Sequence, residues 1–281
     1  MSEWLEPRRR AMLAEMGIAL PTARAKSLED AAAKPPPAAV TPATPPRVAP
    51  AMPPAAIPAR PPSVEPVASA SGPIANLDWT ALKEAVSQCQ ACTLCQQRRN
   101  TVFGTGAPDP APGQAPQVDW MIVGEAPGEN EDMQGEPFVG QAGRLLDNML
   151  KAVGLARHAE KAPGGRVYIA NVLKCRPPGN RNPQPDEVAR CEPYLRRQVA
   201  LLKPRIIVAM GRFAVQSLLR DSVPQVEAQP LGRLRGQVYS YQGVPVVVTY
   251  HPAYLLRNLI DKRKAWADLC LALSVAGRPQ G

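Results

Sequence analysis

Short apolar runs alternate with longer amphipathic stretches over the last two thirds of the chain. The runs at 120–123, 167–172 and 205–209 are almost continuously hydrophobic and too short for helices. Strands that are buried on both faces have this pattern. Two further runs, at 238–241 and 246–249, flank Gln242 and Gly243 and predict a strand pair around a tight turn.

Between these strands, apolar positions recur with the helical period of three to four residues. The pattern predicts helices over 81–87, 140–153, 186–202, 212–219 and 261–276, the first capped by Asp78 or Thr80. Strands that alternate with helices predict an α/β fold, with a mainly parallel central sheet that helices cover on both faces.

Chemically useful residues follow three of the predicted strands. The turn 124–128, with sequence G-E-A-P-G, comes directly after the first strand, Asn171 lies near the end of the second, and His251 follows the last. Ligands of parallel sheets bind beyond the carboxyl ends of the strands. We therefore expect one crevice to contain all three. The acids Glu129, Glu131 and Asp132 are expected in the loop that follows the turn.

The first 75 residues differ in composition from the rest. Residues 1–17 have the spacing of a short amphipathic helix, and 34–73 are rich in Pro and Ala and lack aromatic residues. Such a segment cannot bury enough apolar surface to fold, so it predicts a disordered N-terminal tail that acts as an extended tether. We expect two parts, 1–75 as tail and 76–281 as the globular domain.

The charge balance favours a polyanionic partner. The formal net charge is +9 and the isoelectric point is about 9.5, as is common in proteins that bind nucleic acid. The first residues lack the apolar core of a secretory signal, and no run is long enough to span a membrane. A cytoplasmic, nucleoid-associated protein without a membrane partner is therefore expected, and a monomer is the default.

Cysteines cluster in two segments of the chain. In a reducing compartment, clustered cysteines bind metal or do redox work more often than they form disulfides. Four thiolates from two distant segments can enclose a [4Fe–4S] cluster or a tetrahedral zinc ion, and unligated thiols are the third reading. Cys92 and Cys95 have the same spacing as Cys89 and Cys92, so the sequence leaves open which of these pairs supplies the first two ligands. Cys270 is expected to pack in the core. The four clustered positions besides Cys95 are Cys89, Cys92, Cys175 and Cys191.

A nucleobase pocket needs few groups, and this chain supplies them near the predicted crevice. Phe138 offers a flat ring for stacking, and Asn171 offers an amide that can pair with a base edge. His251 and the backbone of Glu125 and Ala126 can meet a carbonyl oxygen. Each residue alone is more typical of packing or turn structure, but the set together is specific.

Four long motifs carry a resemblance to a known family. G-E-A-P-G-E-N-E-D, P-F-V-G-Q-A-G, N-V-L-K-C-R-P-P-G-N-R and H-P-A-Y-L-L-R-N, in this order and with these cysteines, closely resemble the type 4 uracil-DNA glycosylases. The resemblance runs from about residue 89 to the last helix. It implies a three-layer α/β/α fold, hydrolysis of the N-glycosidic bond of deoxyuridine in DNA during base excision repair, and a [4Fe–4S] cluster.

The resemblance also implies roles for single residues, carried over by motif. The cluster ligands would be Cys89, Cys92, Cys175 and Cys191, with Cys95 a bystander. Uracil would be contacted by Phe138, Asn171, His251 and the Glu125–Ala126 backbone, with Asn180 shaping the cluster side of the site. The loop that enters DNA would carry Leu255, Leu256 and Arg257.

One position departs from the pattern of the better-studied relatives. They have an aspartate in the first motif to position water, and Ala126 stands at the matching position here. Glu131, Asp132 and Glu125 are the acids that could handle water, with Glu131 the favoured one, although such acids also cap turns or hold loops. The departure leaves two other functions open, a nucleic-acid-binding protein without activity and a redox iron–sulfur protein. The expected partner is uracil-containing DNA, single- or double-stranded, with a possible repair or replication partner for the tail.

Overall fold

A five-stranded sheet forms the centre of the protein. The computed structural model describes residues 74–106, 117–157 and 165–277, so the expected N-terminal helix and Pro/Ala-rich tether lie outside the described residues. The strand order is β2-β1-β3-β5-β4, and within this sheet β4 alone runs antiparallel to its neighbour. This confirms the mainly parallel sheet. The strands are β1 (Trp120–Gly124), β2 (Val167–Asn171), β3 (Ile206–Met210), β4 (Val238–Tyr241) and β5 (Val244–Thr249).

Helices connect and cover the strands. Asp78 caps the first one by accepting a hydrogen bond from the Ala81 backbone N–H at 2.8 Å. All five predicted helices are present within two residues of their expected ends. Among the helices of the described ranges, none has the length and hydrophobicity that a membrane-spanning segment requires. The helices are α1 (Trp79–Ser87), α2 (Glu129–Gln134), α3 (Gln141–Ala152), α4 (Pro185–Leu202), α5 (Arg212–Leu219), α6 (Leu231–Leu234), α7 (Pro252–Arg257) and α8 (Lys262–Ala276).

Alternate side chains of β1 enter two different cores. Met121 and Val123 pack with residues of α1, α4 and α5 on one face of the sheet. Trp120 and Ile122 pack with residues of α3 and α8 on the other face. Because both faces are covered, every residue of β1, β2 and β3 is buried. This explains the continuous apolar runs and confirms the three-layer α/β/α architecture.

Three expectations about local structure were wrong. The acids after the first turn lie in the short helix α2, and the segment after His251 forms α7 instead of a loop. Cys270 is exposed on α8 and does not pack in the core. The inward face of α8 carries Ala265, Leu269 and Ala272, and Cys270 lies just outside that stripe.

The register of the sheet brings the ends of the strands together. Gly124, the last residue of β1, pairs with Asn171, the last residue of β2. Met210 of β3 pairs with Thr249 of β5 in the same parallel sense, and His251 follows two residues later. The residues after these strands therefore lie along one edge of the sheet, as the sequence predicts.

Candidate active site

A crevice of about 650 Å³ opens at this edge of the sheet. Its volume is in the usual range for a site that holds a small molecule or one nucleotide. Residues from seven separate segments of the chain line it, and they include most of the positions that the sequence singled out. They are Glu125, Ala126, Glu131, Phe138, Asn171, Asn180, His251 and Arg257.

Asn171 presents an unpaired acceptor at the crevice. The side chain is only 2% exposed, and its Oδ1 has no hydrogen-bond partner within the described part of the chain. Buried polar atoms are nearly always paired, so an orphan of this kind calls for an explanation. A ligand with an N–H group facing Oδ1 would provide one.

Gly124 makes room for the groups around that acceptor. A Cβ atom at this position would lie 2.4 Å from Asn171 Oδ1 and 2.5 Å from Phe138 Cζ, closer than real Cβ contacts. The amide and the phenyl ring therefore both border the space over the end of β1 that a side chain at this position would fill. The lack of a side chain here is a steric requirement of the site.

His251 is held as a neutral hydrogen-bond donor. Its Nδ1 accepts a hydrogen bond from the Ala253 backbone N–H at 3.2 Å, which assigns the ring proton to Nε2. Burial, together with the nearby charge of Arg257, lowers the pKa of His251 to about 4. The ring is stacked near Phe138, with centroids 5.3 Å apart and an interplanar angle of 28°. At neutral pH the imidazole thus offers one N–H and no charge.

The two glutamates have different surroundings. Glu131 accepts hydrogen bonds from the backbone N–H groups of Gly128, Val139 and Gly140, at 3.0–3.2 Å. Its carboxylate therefore fixes the loop between α2 and α3. The Glu125 Oε1 accepts from the Phe213 backbone N–H at 3.2 Å, and burial raises the pKa of this carboxyl.

Two further predicted positions lie on the crevice side. Ala126 is half-buried and packs against the core that contains α1 and α4. Asn180 is exposed and lines the crevice. Its Oδ1 accepts a hydrogen bond from Arg176 Nε at 2.7 Å.

The segment expected to enter DNA is only partly accessible. Leu255 is fully buried in the core beneath α7, so this structure does not expose it for the expected contact with DNA. Leu256 is 39% exposed and Arg257 is exposed. The next turn carries Leu259 and Ile260, which are 63% and 70% exposed. The sequence analysis missed these two, although the apolar pair directly after L-L-R-N was a usable signal.

The clustered cysteines line one small cavity on the far side of β2. Cys89, Cys92, Cys95, Cys175 and Cys191 all contribute to its wall, so Cys95 lies with the others. Within the described ranges, no three or more His, Cys, Asp or Glu side chains form a group that could hold a single metal ion.

Basic and backbone donors point at the sulfur atoms of this cavity. Arg98 Nη1 donates a hydrogen bond to Cys175 Sγ at 3.1 Å, and the Lys174 backbone N–H donates to Cys191 Sγ at 3.3 Å. Burial raises the pKa of the Cys191 thiol to about 12. Metal binding at this site therefore requires proton release from a thiol that stays neutral without metal.

Lys174 connects the cysteine cavity to the crevice. Its side chain is 2% exposed, and Nζ donates hydrogen bonds to the Asn171 carbonyl oxygen at 2.9 Å and to Gln198 Oε1 at 2.7 Å. Burial lowers the pKa of this ammonium group to about 8. The same residue therefore contacts Cys191 with its backbone and the Asn171 backbone with its side chain.

Known proteins resemble the chain over its globular part. Residues 111–270 match the family model described as the Uracil DNA glycosylase superfamily. A type-4 uracil-DNA glycosylase from Sulfurisphaera tokodaii is 42% identical over 180 residues, covering 63% of this chain and 75% of the relative. One from Pyrobaculum aerophilum is 41% identical over 199 residues, covering 69% and 93%. A type-5 uracil-DNA glycosylase from Thermus thermophilus is 31% identical over 171 residues, covering 55% and 78%.

Proposed function

The chain belongs to the uracil-DNA glycosylase superfamily, within its type-4 group, and from that membership we propose what each part of the crevice does. The protein is a uracil-DNA glycosylase, which releases uracil from DNA in base excision repair. The crevice is the pocket for the extruded deoxyuridine. The observation that carries this assignment is the buried, unpaired Oδ1 of Asn171.

Uracil fits the hydrogen-bonding character of this acceptor. Its N3–H is a donor that would pair with Asn171 Oδ1, whereas cytosine presents an acceptor at the same ring position. The wrong base leaves the buried oxygen unpaired or facing a lone pair, and sites of this kind discriminate strongly. Phe138 supplies an apolar ring against which the extruded base stacks.

His251 stabilises the departing base. Negative charge develops on the uracil O2 atom as the glycosidic bond breaks, and a fixed N–H donor in a dry pocket stabilises that charge. The neutral ring with its proton on Nε2 fits this task, since the Nδ1 atom is occupied by the Ala253 N–H. A donor of this kind contributes about 3–4 kcal/mol to the transition state.

Water is positioned by Glu125. Glu131 is hydrogen-bonded to three backbone N–H groups and serves the loop. Glu125 lines the crevice, and its pKa is raised by burial, which brings the carboxylate closer to the basicity of a useful proton acceptor. This residue adjoins Ala126, where relatives of other groups have their aspartate, so it occupies the same turn.

The cysteine cavity holds a [4Fe–4S] cluster, with Cys89, Cys92, Cys175 and Cys191 as ligands. The donor set fits, because thiols from two segments of the chain line one cavity and four thiolates are the usual ligands of such a cluster. The hydrogen bonds from Arg98 and the Lys174 backbone suit anionic sulfur. When bound, the cluster supplies cross-links between the segment after α1 and the segment after β2.

The face beside α7 contacts the DNA. Arg257 lines the crevice and is exposed, so it meets the phosphate backbone. Leu256 supplies an exposed apolar side chain next to it, and Leu259 and Ile260 extend that surface. Apolar side chains of this kind can fill the gap that a flipped nucleotide leaves.

An excision assay tests the proposal. Labelled oligonucleotides that contain one uracil, or cytosine at the same position, are incubated with the protein and then treated with alkali. We expect strand breaks at uracil alone, and a loss on the order of 100-fold in rate for Asn171→Ala, because the buried acceptor reads the base. Iron analysis and visible absorbance test the cluster in the same preparation. Equal cleavage by Asn171→Ala and the native protein would overturn the pocket assignment.

A further inference from the structure

Phe138 is held in an uncommon backbone conformation. Its φ angle is +57°, in the left-handed region that residues with a side chain seldom adopt. Such a conformation persists only where surrounding contacts enforce it, and it is often found at ligand sites. In this protein the conformation directs a ring that is 5% exposed into the wall of the crevice.

One arginine holds this backbone from outside the crevice. Arg157 Nη1 donates a hydrogen bond to the Pro137 carbonyl oxygen at 2.6 Å, and Nη2 donates to the Phe138 carbonyl oxygen at 2.7 Å. Its Nε donates to Asp147 Oδ1 of α3 at 3.0 Å. The Arg157 side chain is 11% exposed, so these bonds are shielded from water.

The Phe138 carbonyl group has little freedom to turn elsewhere. A Cβ atom at Gly143 would lie 1.6 Å from the Phe138 oxygen, so the carbonyl sits directly against the first turn of α3. The Arg157 guanidinium group also donates a hydrogen bond to this oxygen. The planar guanidinium group binds two successive carbonyl groups and so fixes the orientations of both peptide planes that flank Phe138. A single donor cannot do this.

We propose that Arg157 is a positioning residue for base recognition, which acts on the extruded base by locking the Phe138 backbone. It does not line the crevice. The inference rests on the proposed function of Phe138 as the stacking surface. It adds a residue that neither the motifs nor the family match assigns, nineteen positions from the ring it controls.

A double-mutant cycle tests whether Arg157 acts through Phe138. Free uracil is used as a product inhibitor of excision, and its inhibition constant is measured for the native enzyme, Arg157→Ala, Phe138→Ala and the double variant. Because stacking on an aromatic ring contributes substantially to the affinity for a base, we expect about tenfold weaker uracil binding in each single variant. The double variant should bind uracil no more weakly than Phe138→Ala, because the arginine has nothing left to position.

Two further variants separate positioning from general stability. Asp147→Asn removes the ion pair at a carboxylate that is 48% exposed but keeps both carbonyl bonds, and it should leave uracil binding within about twofold of native. Arg157→Lys retains the charge with a single point donor, so its loss should fall between native and Arg157→Ala. If Arg157→Ala does not fold, uracil binding by Arg157→Lys tests the inference in its place.

The outcomes are distinguishable. Uracil binding by Arg157→Ala and Arg157→Lys equal to native would overturn the inference and leave the role of Phe138 intact. Multiplied losses in the double variant would also overturn it, because the arginine would then act independently of the ring. Native-like uracil binding by Phe138→Ala would remove the proposed stacking role and this inference with it.

Discussion

A single methyl group at Gly124 should disable the pocket. Gly124 ends β1 with a φ outside the left-handed region, so alanine is compatible with its backbone. The new Cβ atom would lie 2.4 Å from Asn171 Oδ1 and 2.5 Å from Phe138 Cζ. Gly124→Ala therefore disturbs the base-reading amide and the stacking ring together, without removing either group.

The size of the effect follows from these distances. Ordinary van der Waals contact begins at 3.4 Å, so the amide and the ring must each retreat by about 1 Å. A displacement of about 1 Å in a reacting geometry can cost about 100-fold in rate, or about 2.7 kcal/mol of transition-state stabilisation. Overpacking also lowers the free energy of unfolding by about 1–3 kcal/mol, so the loss of activity should exceed what unfolding explains.

Single-turnover excision of uracil from a labelled oligonucleotide measures the effect, with thermal unfolding of each preparation as a stability check. Gly232→Ala is the matched control, because its new Cβ atom would meet only the Tyr250 hydroxyl at 3.6 Å. The control should retain native kcat/KM. A folded Gly124→Ala enzyme within about threefold of native would refute the steric argument, as would an equal loss in Gly232→Ala.

Four further outcomes follow from the site. His251→Ala should lower the excision rate by about 100- to 1,000-fold while DNA affinity changes little, and equal losses in both would contradict its role. Because burial lowers its pKa to about 4, the His251 ring in NMR titrations should stay neutral from pH 8 to pH 6 and gain its proton well below the usual 6.5. Cys175→Ser should lose iron and visible absorbance, whereas Cys270→Ser, changed at an exposed position, should keep both. Glu125→Gln should reduce the rate with little change in melting temperature, whereas Glu131→Gln should reduce the melting temperature, and the reverse pattern would exchange the two assignments.

The sheet and the long helices could be predicted because their patterns are local. A continuous apolar run at 120–123 has no amphipathic alternative, and the apolar run at 167–172 predicted β2 to within one residue of its observed end at Asn171. Parallel strands end at one edge, so the meeting of Gly124, Asn171 and His251 follows from topology. None of this required knowledge of which side chains touch.

The errors arose where tertiary contacts decide. The last helix is apolar around most of its surface, so its sequence alone did not show that Leu269 faces inward and Cys270 outward. The burial of Leu255 depends on the packing of α7 against the core beneath it. The three backbone donors of Glu131 come from the residue before α2 and from two residues before α3, and the bond from Arg157 to Phe138 crosses nineteen residues. Such contacts leave no periodic trace in a sequence.

Lys174 makes the two sites of this enzyme hard to separate by protein engineering. Four positions separate Asn171 from Cys175, and Lys174 bonds to the carbonyl of the first and to the neighbouring sulfur of Cys191. Replacing Cys191 with an apolar residue would leave the Lys174 backbone N–H without its sulfur acceptor. A shift of Lys174 would then disturb the hydrogen bond from its Nζ to the Asn171 carbonyl oxygen. A version of this glycosylase without these cysteines would therefore need a redesigned β2 terminus as well as a filled cavity.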